Sequence, residues 1–231
     1  MQGLRTTRQG ARAWRVHVNP TALPNLPVEG ETPPNRYDDP QREYRVRYFA
    51  TNKRGAFLEV LARFRRNDET QKRLGAVAEV DERAEPGTSA GRVPPAFLIA
   101  LKEVAGQVAD PEHYFIDVTA EDTLTALGEH PRIRRALDAL SSGESGHAPR
   151  LDKTTIRLPP PQGNTITQPV SRVVYDETDA VGIHYASRLD ELEPCWAVFD
   201  WVTVDFSETK PIDANDDALK SAAAAMMLTL P

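Results

Sequence analysis

Apolar and polar residues alternate in several short stretches of the chain, and this pattern predicts β-strands. The alternation is clearest over residues 13–18 and 44–51, where a period of two is typical of a strand with one buried face. Residues 183–187 show the same pattern, whereas residues 195–200 are apolar on both faces, as in a strand that is covered on both sides. Two more β-rich runs predict strands at 114–118 and 202–206.

Apolar residues that recur every three or four positions predict the helices. The helix that follows the strand 44–51 is predicted over about 56–65, with a core stripe made of Phe57, Val60, Leu61 and Phe64. Glu59 lies nearly opposite this stripe, so it faces either water or a cavity. Further helices are predicted at 68–81, from Pro95 to Gly106, at 120–127, at 131–140, from Thr167 as the N-cap with Pro169 in the first turn, and at 214–228.

No regular spacing is found in residues 1–12 or in the stretch 20–40, which carries six prolines. We therefore expect a loose N-terminal tail over 1–12 and a loop over 20–40. Strands and helices alternate irregularly in the rest of the chain, so the pattern predicts the α+β class. Because the most informative stretches lie near both ends, we expect one compact domain over 13–231, in which residues 67–110 form a helical elaboration.

Composition and charge narrow the functional classes. A formal net charge of −6 argues against a nucleic-acid-binding protein, which usually carries a basic face. The single cysteine, Cys195, excludes an intramolecular disulfide and favours a reducing cytosol. No apolar run approaches the roughly 20 residues that a membrane span needs, and no paired Cys/His spacing indicates a metal site. We expect a cytoplasmic protein with no metal, no membrane contact and no direct contact with nucleic acid.

A cation, an aromatic ring and a carboxylate occur together in a loop–strand–helix unit over residues 35–65. They are Arg36 at the end of the proline-rich loop, Tyr48 on the strand and Glu59 on the helix. Each also has a structural interpretation. Glu59 would pair with Arg63 at i+4, Arg36 would be held by an ion pair with Asp38 or Asp39, and Tyr48 would be a core residue that shares a face with Val46 and Ala50.

Three sequence blocks resemble the RES domain, a bacterial family named for its Arg, Glu and Ser. The blocks are NRYDDP at 35–40, YRVRYFATNKRGAFLEVLARFR at 44–65 and GIHYASRLDELEPCWAVFD at 182–200, and TQPVSRVVYD at 167–176 is also similar to the family. The resemblance covers most of residues 13–206. The chain departs from the family at Asn35, where a small residue, frequently glycine, precedes the arginine.

This resemblance implies a fold of split mixed β-sheets with surrounding helices, similar to the ADP-ribosyltransferase toxins, and an enzyme that consumes NAD⁺. Glu59 would stabilise the positive charge that develops on the ribose when the nicotinamide bond breaks. Arg36 would grip the pyrophosphate or a ribose oxygen, with Arg15 as a second cation. Tyr48 would pack its ring against the ligand. Ser187 would bind the nicotinamide side of NAD⁺.

Several functions stay open within the resemblance. The enzyme would hydrolyse NAD⁺, or cleave it with inorganic phosphate as co-substrate, or transfer ADP-ribose to a protein. A non-catalytic regulatory or interaction protein on the same scaffold is the alternative from another class. The resemblance also implies a neutralising antitoxin as partner, with or without a DNA-binding domain, and leaves a homo-oligomer open. His184 faces away from Ser187 if the strand alternation holds, so we expect no Ser–His dyad.

Overall fold

The computed structural model describes residues 3–26, 33–65, 91–141 and 149–231. Within these ranges the chain forms a single α+β domain, in which a curled mixed sheet of nine strands is packed against six helices. The strands are β1 (Thr6–Thr7), β2 (Ala13–His17), β3 (Val46–Ala50), β4 (Lys102–Val108), β5 (Phe115–Asp117), β6 (Gly182–Ala186), β7 (Pro194–Phe199), β8 (Val204–Phe206) and β9 (Lys210–Pro211). The helices are α1 (Lys53–Leu61), α2 (Pro95–Ala100), α3 (Glu121–Gly128), α4 (Pro131–Ser141), α5 (Gln162–Glu177) and α6 (Asp217–Ala225), with 3₁₀ turns at Ala62–Phe64 and Thr155–Arg157. The predicted α+β class is confirmed.

The strand order places the functional stretches side by side. It is β1-β5-β6-β7-β3-β2-β4-β8, with β9 also paired to β4, and β5–β6 is the parallel pair. β3 pairs with β7 through five residues and β2 pairs with β4 through five, but β2 and β3 are joined only at Trp14 and Ala50. The described residues therefore form one continuous sheet, which opens beyond this single pair, rather than the split sheets that the resemblance implied.

Helix α1 crosses the sheet next to this opening. It begins at Lys53, three residues before the predicted start, because the side chain of Asn52 accepts a hydrogen bond from the Gly55 amide at 2.8 Å and caps the helix. The helix buries one face, with Ala56, Phe57, Leu58 and Leu61 in the core, and leaves Glu59 exposed on the other. The cap and the apolar stripe together fix which way Glu59 points.

The helix predicted from Pro95 to Gly106 is wrong in its second half. α2 ends at Ala100, and residues 102–108 form strand β4 instead. The short apolar run Val104–Ala105 fits both periods, and a run of this length cannot be assigned by periodicity alone. Pairing with β2 and β8 decides the conformation. The part of 67–110 that is described therefore includes a strand of the main sheet, whereas the helix predicted at 68–81 lies outside the described residues.

Two further boundaries differ from the predictions. α5 begins at Gln162 and contains Pro169 in its interior, because a fully buried stripe with Ile166 and Val170 offsets the hydrogen bond that proline cannot donate. The described part of 1–12 is attached rather than loose, since β1 pairs with β5 and the Gln9 side chain bonds to β4. A two-residue strand has no periodicity that a sequence can show.

The close approach of β6 to β7 allows a prediction about the stability of the protein. A Cβ atom at Gly182 would collide with the carbonyl oxygen of Ala197 on the neighbouring strand. We expect Gly182→Ala to lower the free energy of unfolding by at least about 2 kcal/mol, because backbone cannot yield as a side chain does. Urea unfolding measures the change. Gly10→Ala is the matched control, since no atom lies within 4 Å of its added Cβ; equal stability of the two variants would contradict the close packing of these strands.

Candidate active site

The opening between β2 and β3 forms a cavity of about 330 Å³. Its walls come from these two strands, from α1 and from the loop that contains Arg36. Four of the predicted site residues line it, namely Arg15, Arg36, Tyr48 and Glu59. Arg15 and Glu59, which are 44 positions apart in the chain, are thus brought to the same cavity. The volume lies within the range of small-molecule sites, about 300–1,000 Å³.

Glu59 is held by the fifth predicted residue. The Ser187 hydroxyl donates a hydrogen bond to Glu59 Oε1 at 2.7 Å and accepts one from the Leu189 amide at 3.1 Å. Ser187 is fully buried and does not line the cavity. The arrangement therefore favours a positioning contact on the carboxylate over the predicted direct contact of Ser187 with a ligand.

Glu59 does not form the ion pair with Arg63 that its structural interpretation requires in the described residues. In this part of the chain the carboxylate has its hydrogen bond from Ser187 and no ion pair with Arg63. The Arg63 guanidinium lies instead over the Phe97 ring, 5.6 Å from its centroid. Glu59 is exposed towards the cavity, where an incoming ligand would meet it.

Tyr48 anchors the loop that carries Arg36. Its hydroxyl donates to Asp38 Oδ1 at 2.9 Å and accepts from the Tyr37 amide at 3.0 Å. Asp38 Oδ2 in turn accepts from the amide and the side chain of Asn35. Burial, and then the charge of Asp38, raise the pKa of Tyr48 well above its usual value, so the phenol stays protonated and remains the donor. The ring lines the cavity while the hydroxyl holds the loop.

Arg36 does not form the ion pair that the sequence left open. Its Nη2 donates to the Ile156 carbonyl at 2.7 Å and its Nη1 to the Ala186 carbonyl at 3.2 Å, while Asp39 accepts from Arg172 at 3.3 Å. The guanidinium also lies over the Tyr185 ring, 5.0 Å from its centroid. Nε is buried and has no hydrogen-bond partner among the described residues. Arg36 is held by neutral groups, so its charge is available to an anion.

Arg15 is a second arginine without a carboxylate partner in the described part of the chain. It is 8% exposed and donates to the Ala22 carbonyl at 3.2 Å. Burial, together with the charge of Arg47, lowers the pKa of Arg15 to about 10. Two cations that repel one another in a low-dielectric environment are stabilised when an anion binds near them.

Sequence reasoning missed Arg188, which also lines the cavity. The sequence did contain a signal for this residue, because Arg188 directly follows Ser187 at the end of a predicted strand. Among the described residues, the charged side chains that line the cavity are three arginines, Arg15, Arg36 and Arg188, and one carboxylate, Glu59. This balance favours an anionic ligand in a protein whose formal net charge is −6.

A second cavity of about 350 Å³ lies on the other side of Arg36 and Tyr185. His184 lines it and bonds to Asp117 at 3.1 Å rather than to Ser187, as the alternation of the strand predicted. Burial acts against the charge of Asp117, but the hydrogen bonds from His184 and Thr119 outweigh it and lower the pKa of Asp117 to about 2. His184 thus bonds to Asp117 while Ser187 bonds to Glu59, so these two side chains have different partners among the described residues.

No group of three or more His, Cys, Asp or Glu side chains is placed to hold a metal ion in the described ranges. None of the helices in the described part of the chain has the length and hydrophobicity to cross a membrane.

The described residues define a cavity in the gap of an α+β sheet, whose charged lining consists of three arginines and the Glu59 carboxylate. The RES domain family matches residues 12–219, and the chain belongs to this family. RES domains are generally associated with NAD-degrading toxins of toxin–antitoxin systems, and membership implies an NAD-processing enzyme. No curated protein and no solved structure matches the chain.

The anchoring of the Arg36 loop makes a second stability prediction. Tyr48→Phe leaves the Asp38 carboxylate and the Tyr37 amide each short of one partner. We expect a loss of about 1–3 kcal/mol in the free energy of unfolding, the usual effect of an unsatisfied buried group. Urea unfolding measures it, with Tyr114→Phe as control, since this half-buried tyrosine donates no hydrogen bond from its hydroxyl in the described structure. A Tyr48→Phe protein as stable as this control would show that the loop does not depend on the hydroxyl.

Proposed function

We propose that this protein is an NAD⁺-consuming enzyme that cleaves the bond between nicotinamide and ribose, by hydrolysis or by phosphorolysis. The observation that carries the proposal is the exposed Glu59 carboxylate, fixed by the buried Ser187 in a cavity whose other charged residues include three arginines. Membership of the RES domain family supports the same substrate.

Glu59 has the chemistry that the reaction needs. When the bond between ribose C1′ and the nicotinamide nitrogen breaks, its electron pair leaves with neutral nicotinamide, and positive charge spreads over C1′ and the ring oxygen. A carboxylate beside the ribose stabilises this charge, as in glycoside cleavage. The hydrogen bond from Ser187 sets the carboxylate in place before the charge develops, which is how preorganised groups contribute most. Either a water oxygen then bonds to C1′ and releases a proton to solvent, or an unprotonated oxygen of phosphate bonds to C1′ directly.

The arginines would bind the negatively charged part of the substrate. NAD⁺ carries a pyrophosphate, and guanidinium groups bind such oxyanions by charge-assisted hydrogen bonds. Arg36 offers its unpartnered Nε and its charge, and Arg15 offers a second buried cation. Tyr48 presents its ring, since its hydroxyl is engaged with Asp38. The proposed roles are thus binding for Arg36 and Arg15, ring packing for Tyr48 and positioning of Glu59 for Ser187.

The proposed similarity to the ADP-ribosyltransferase toxins has support from the position of the cavity. In the described structure the cavity opens where a curled sheet separates between two strands, with the carboxylate on a flanking helix. The cleavage step is the same for a water, phosphate or protein acceptor, so release of nicotinamide tests what these reactions share.

Loss of the Glu59 charge is the direct test. We expect the wild-type protein to release nicotinamide from NAD⁺, with the rate in added phosphate separating phosphorolysis from hydrolysis. Glu59→Gln should lower kcat about a hundredfold or more, the scale for one preorganised electrostatic group. The KM for NAD⁺ should change far less, because the opposing charge exists mainly in the transition state. Nicotinamide release is followed by chromatography.

The control for this experiment is Glu129→Gln, an exposed glutamate that pairs with Arg134 on the surface. It should keep wild-type kcat, and circular dichroism should show that both variants are folded. Wild-type turnover by Glu59→Gln would remove this residue from the mechanism. A wild-type protein that releases no nicotinamide, with or without phosphate, would refute the proposed function.

A neutralising partner follows from the proposed activity. RES toxins generally pair with antitoxins, and free NAD⁺ cleavage would deplete the cell that makes the enzyme. We propose an antitoxin that covers the cavity, either alone or with an attached DNA-binding domain. Expression of this chain alone should lower cellular NAD⁺ and arrest growth, while Glu59→Gln expressed to the same level should do neither. Unchanged NAD⁺ and growth with the wild-type chain would count against a toxin.

A further inference from the structure

Arg188 is the cavity residue to which the proposed mechanism gives no role. It is half-buried, it lines the cavity together with Glu59 and Arg36, and its Nη1 is buried. That nitrogen has no hydrogen-bond partner among the described residues. Buried donors in native proteins are nearly always paired with protein, water or ligand, and an exception calls for an explanation.

The surroundings of Arg188 make the missing partner an anion. The charged groups that act on its guanidinium are Arg36, which repels it, and Glu59, which attracts it. Burial, followed by the charge of Arg36, lowers the pKa of Arg188, and Glu59 only partly opposes this. In the described part of the chain no carboxylate forms an ion pair with Arg188, whereas other half-buried arginines such as Arg54 and Arg157 do. An uncompensated cation of this kind is stabilised by a bound oxyanion.

The backbone that carries Arg188 is fixed on both sides. The Ser187 amide donates to the Glu193 carbonyl at 2.9 Å, and the Leu189 amide donates to the Ser187 hydroxyl at 3.1 Å. Arg54 at the start of α1 ties down the same loop through Asp190, at 2.9 Å, and through Glu193. The backbone of Arg188 is therefore held at a defined place beside the cavity, which lowers the entropic cost of using this residue for binding.

The proposed reaction indicates which anion binds to Arg188. An unpaired guanidinium near Glu59 would oppose the positive charge that develops on the ribose, so the loaded site needs a negative group on Arg188. We propose that Arg188 binds a phosphate oxyanion in the cavity, supplied either by the pyrophosphate of the dinucleotide or by inorganic phosphate. This inference rests on the proposed function, since NAD⁺ and phosphate are the ligands that it provides.

Calorimetric titration of wild type and Arg188→Ala with three probes tests the proposal. The probes are ADP-ribose, which keeps the pyrophosphate, nicotinamide riboside, which has no phosphate, and inorganic phosphate alone. We expect Arg188→Ala to weaken binding of ADP-ribose or of phosphate by about tenfold to a hundredfold, the usual scale for a charged hydrogen bond. Binding of nicotinamide riboside should change less than about twofold, because that probe brings no oxyanion.

Two further variants keep the test decisive. Arg188→Lys should retain part of the affinity, since it keeps the charge but not the planar fork, and it replaces Arg188→Ala if that variant does not fold. Arg134→Ala removes an exposed arginine that pairs with Glu129, and it should bind all probes as wild type does. Thermal melting verifies that each variant is folded before titration.

The outcomes separate the sources of the oxyanion. A loss seen with ADP-ribose assigns Arg188 to the pyrophosphate, and a loss seen only with inorganic phosphate assigns it to the co-substrate. Wild-type binding of both probes by Arg188→Ala, or equal losses for nicotinamide riboside, would overturn the proposal. If the wild type binds ADP-ribose through Arg188 but releases no nicotinamide, the proposed function fails and the phosphate site stands. If nicotinamide is released and Arg188→Ala binds normally, only this inference fails.

Discussion

The site depends on one constraint of the sheet, the separation of β2 from β3 beyond the single pair Trp14–Ala50. Each strand keeps a full partner on its other side, β4 for β2 and β7 for β3. The gap therefore leaves the rest of the sheet intact. β2 and β3 diverge in the middle of the sheet, so side chains of both strands line a cavity. Helix α1 and the loop that contains Arg36 form further walls of this cavity. Without this gap the same residues would form an ordinary packed sheet.

The charged residues of the cavity are held by groups that do not neutralise them. Arg36 and Arg15 donate to backbone carbonyls, and Glu59 accepts from a hydroxyl. These neutral partners fix geometry and leave the charges for a ligand. Asp39, by contrast, is paired with the cation Arg172. Charged groups that are held by neutral partners keep their charge available for interaction with a ligand, which is the property that the proposed function uses.

Local sequence and distant contacts both determine the site. Two examples are the loop that carries Arg36 and Ser187, which follows β6. Asn35 and Asp38 form a local turn, which sequence chemistry favours. Its placement over the cavity comes from Tyr48, ten residues further on, and from the carbonyls of Ile156 and Ala186. Ser187 directly follows β6, which ends at Ala186, and its hydroxyl donates to Glu59 on α1. Local sequence preferences form the turn and the strand, and hydrogen bonds between distant residues set their positions relative to each other.

The amino-acid sequence by itself determined the α+β class, most strands and helices, the family, and four of the residues that line the cavity, Arg15, Arg36, Tyr48 and Glu59. Periodicity and three ordered blocks were sufficient because both are local properties. Only the tertiary structure decided that residues 102–108 are a strand, that Pro169 lies inside a helix, and that Ser187 bonds to Glu59 rather than lining the cavity. It alone brought Arg188 to the cavity wall without a partner in the described chain. The physical reason is that strand pairing, burial and hydrogen bonds between distant segments depend on neighbours that no local pattern specifies.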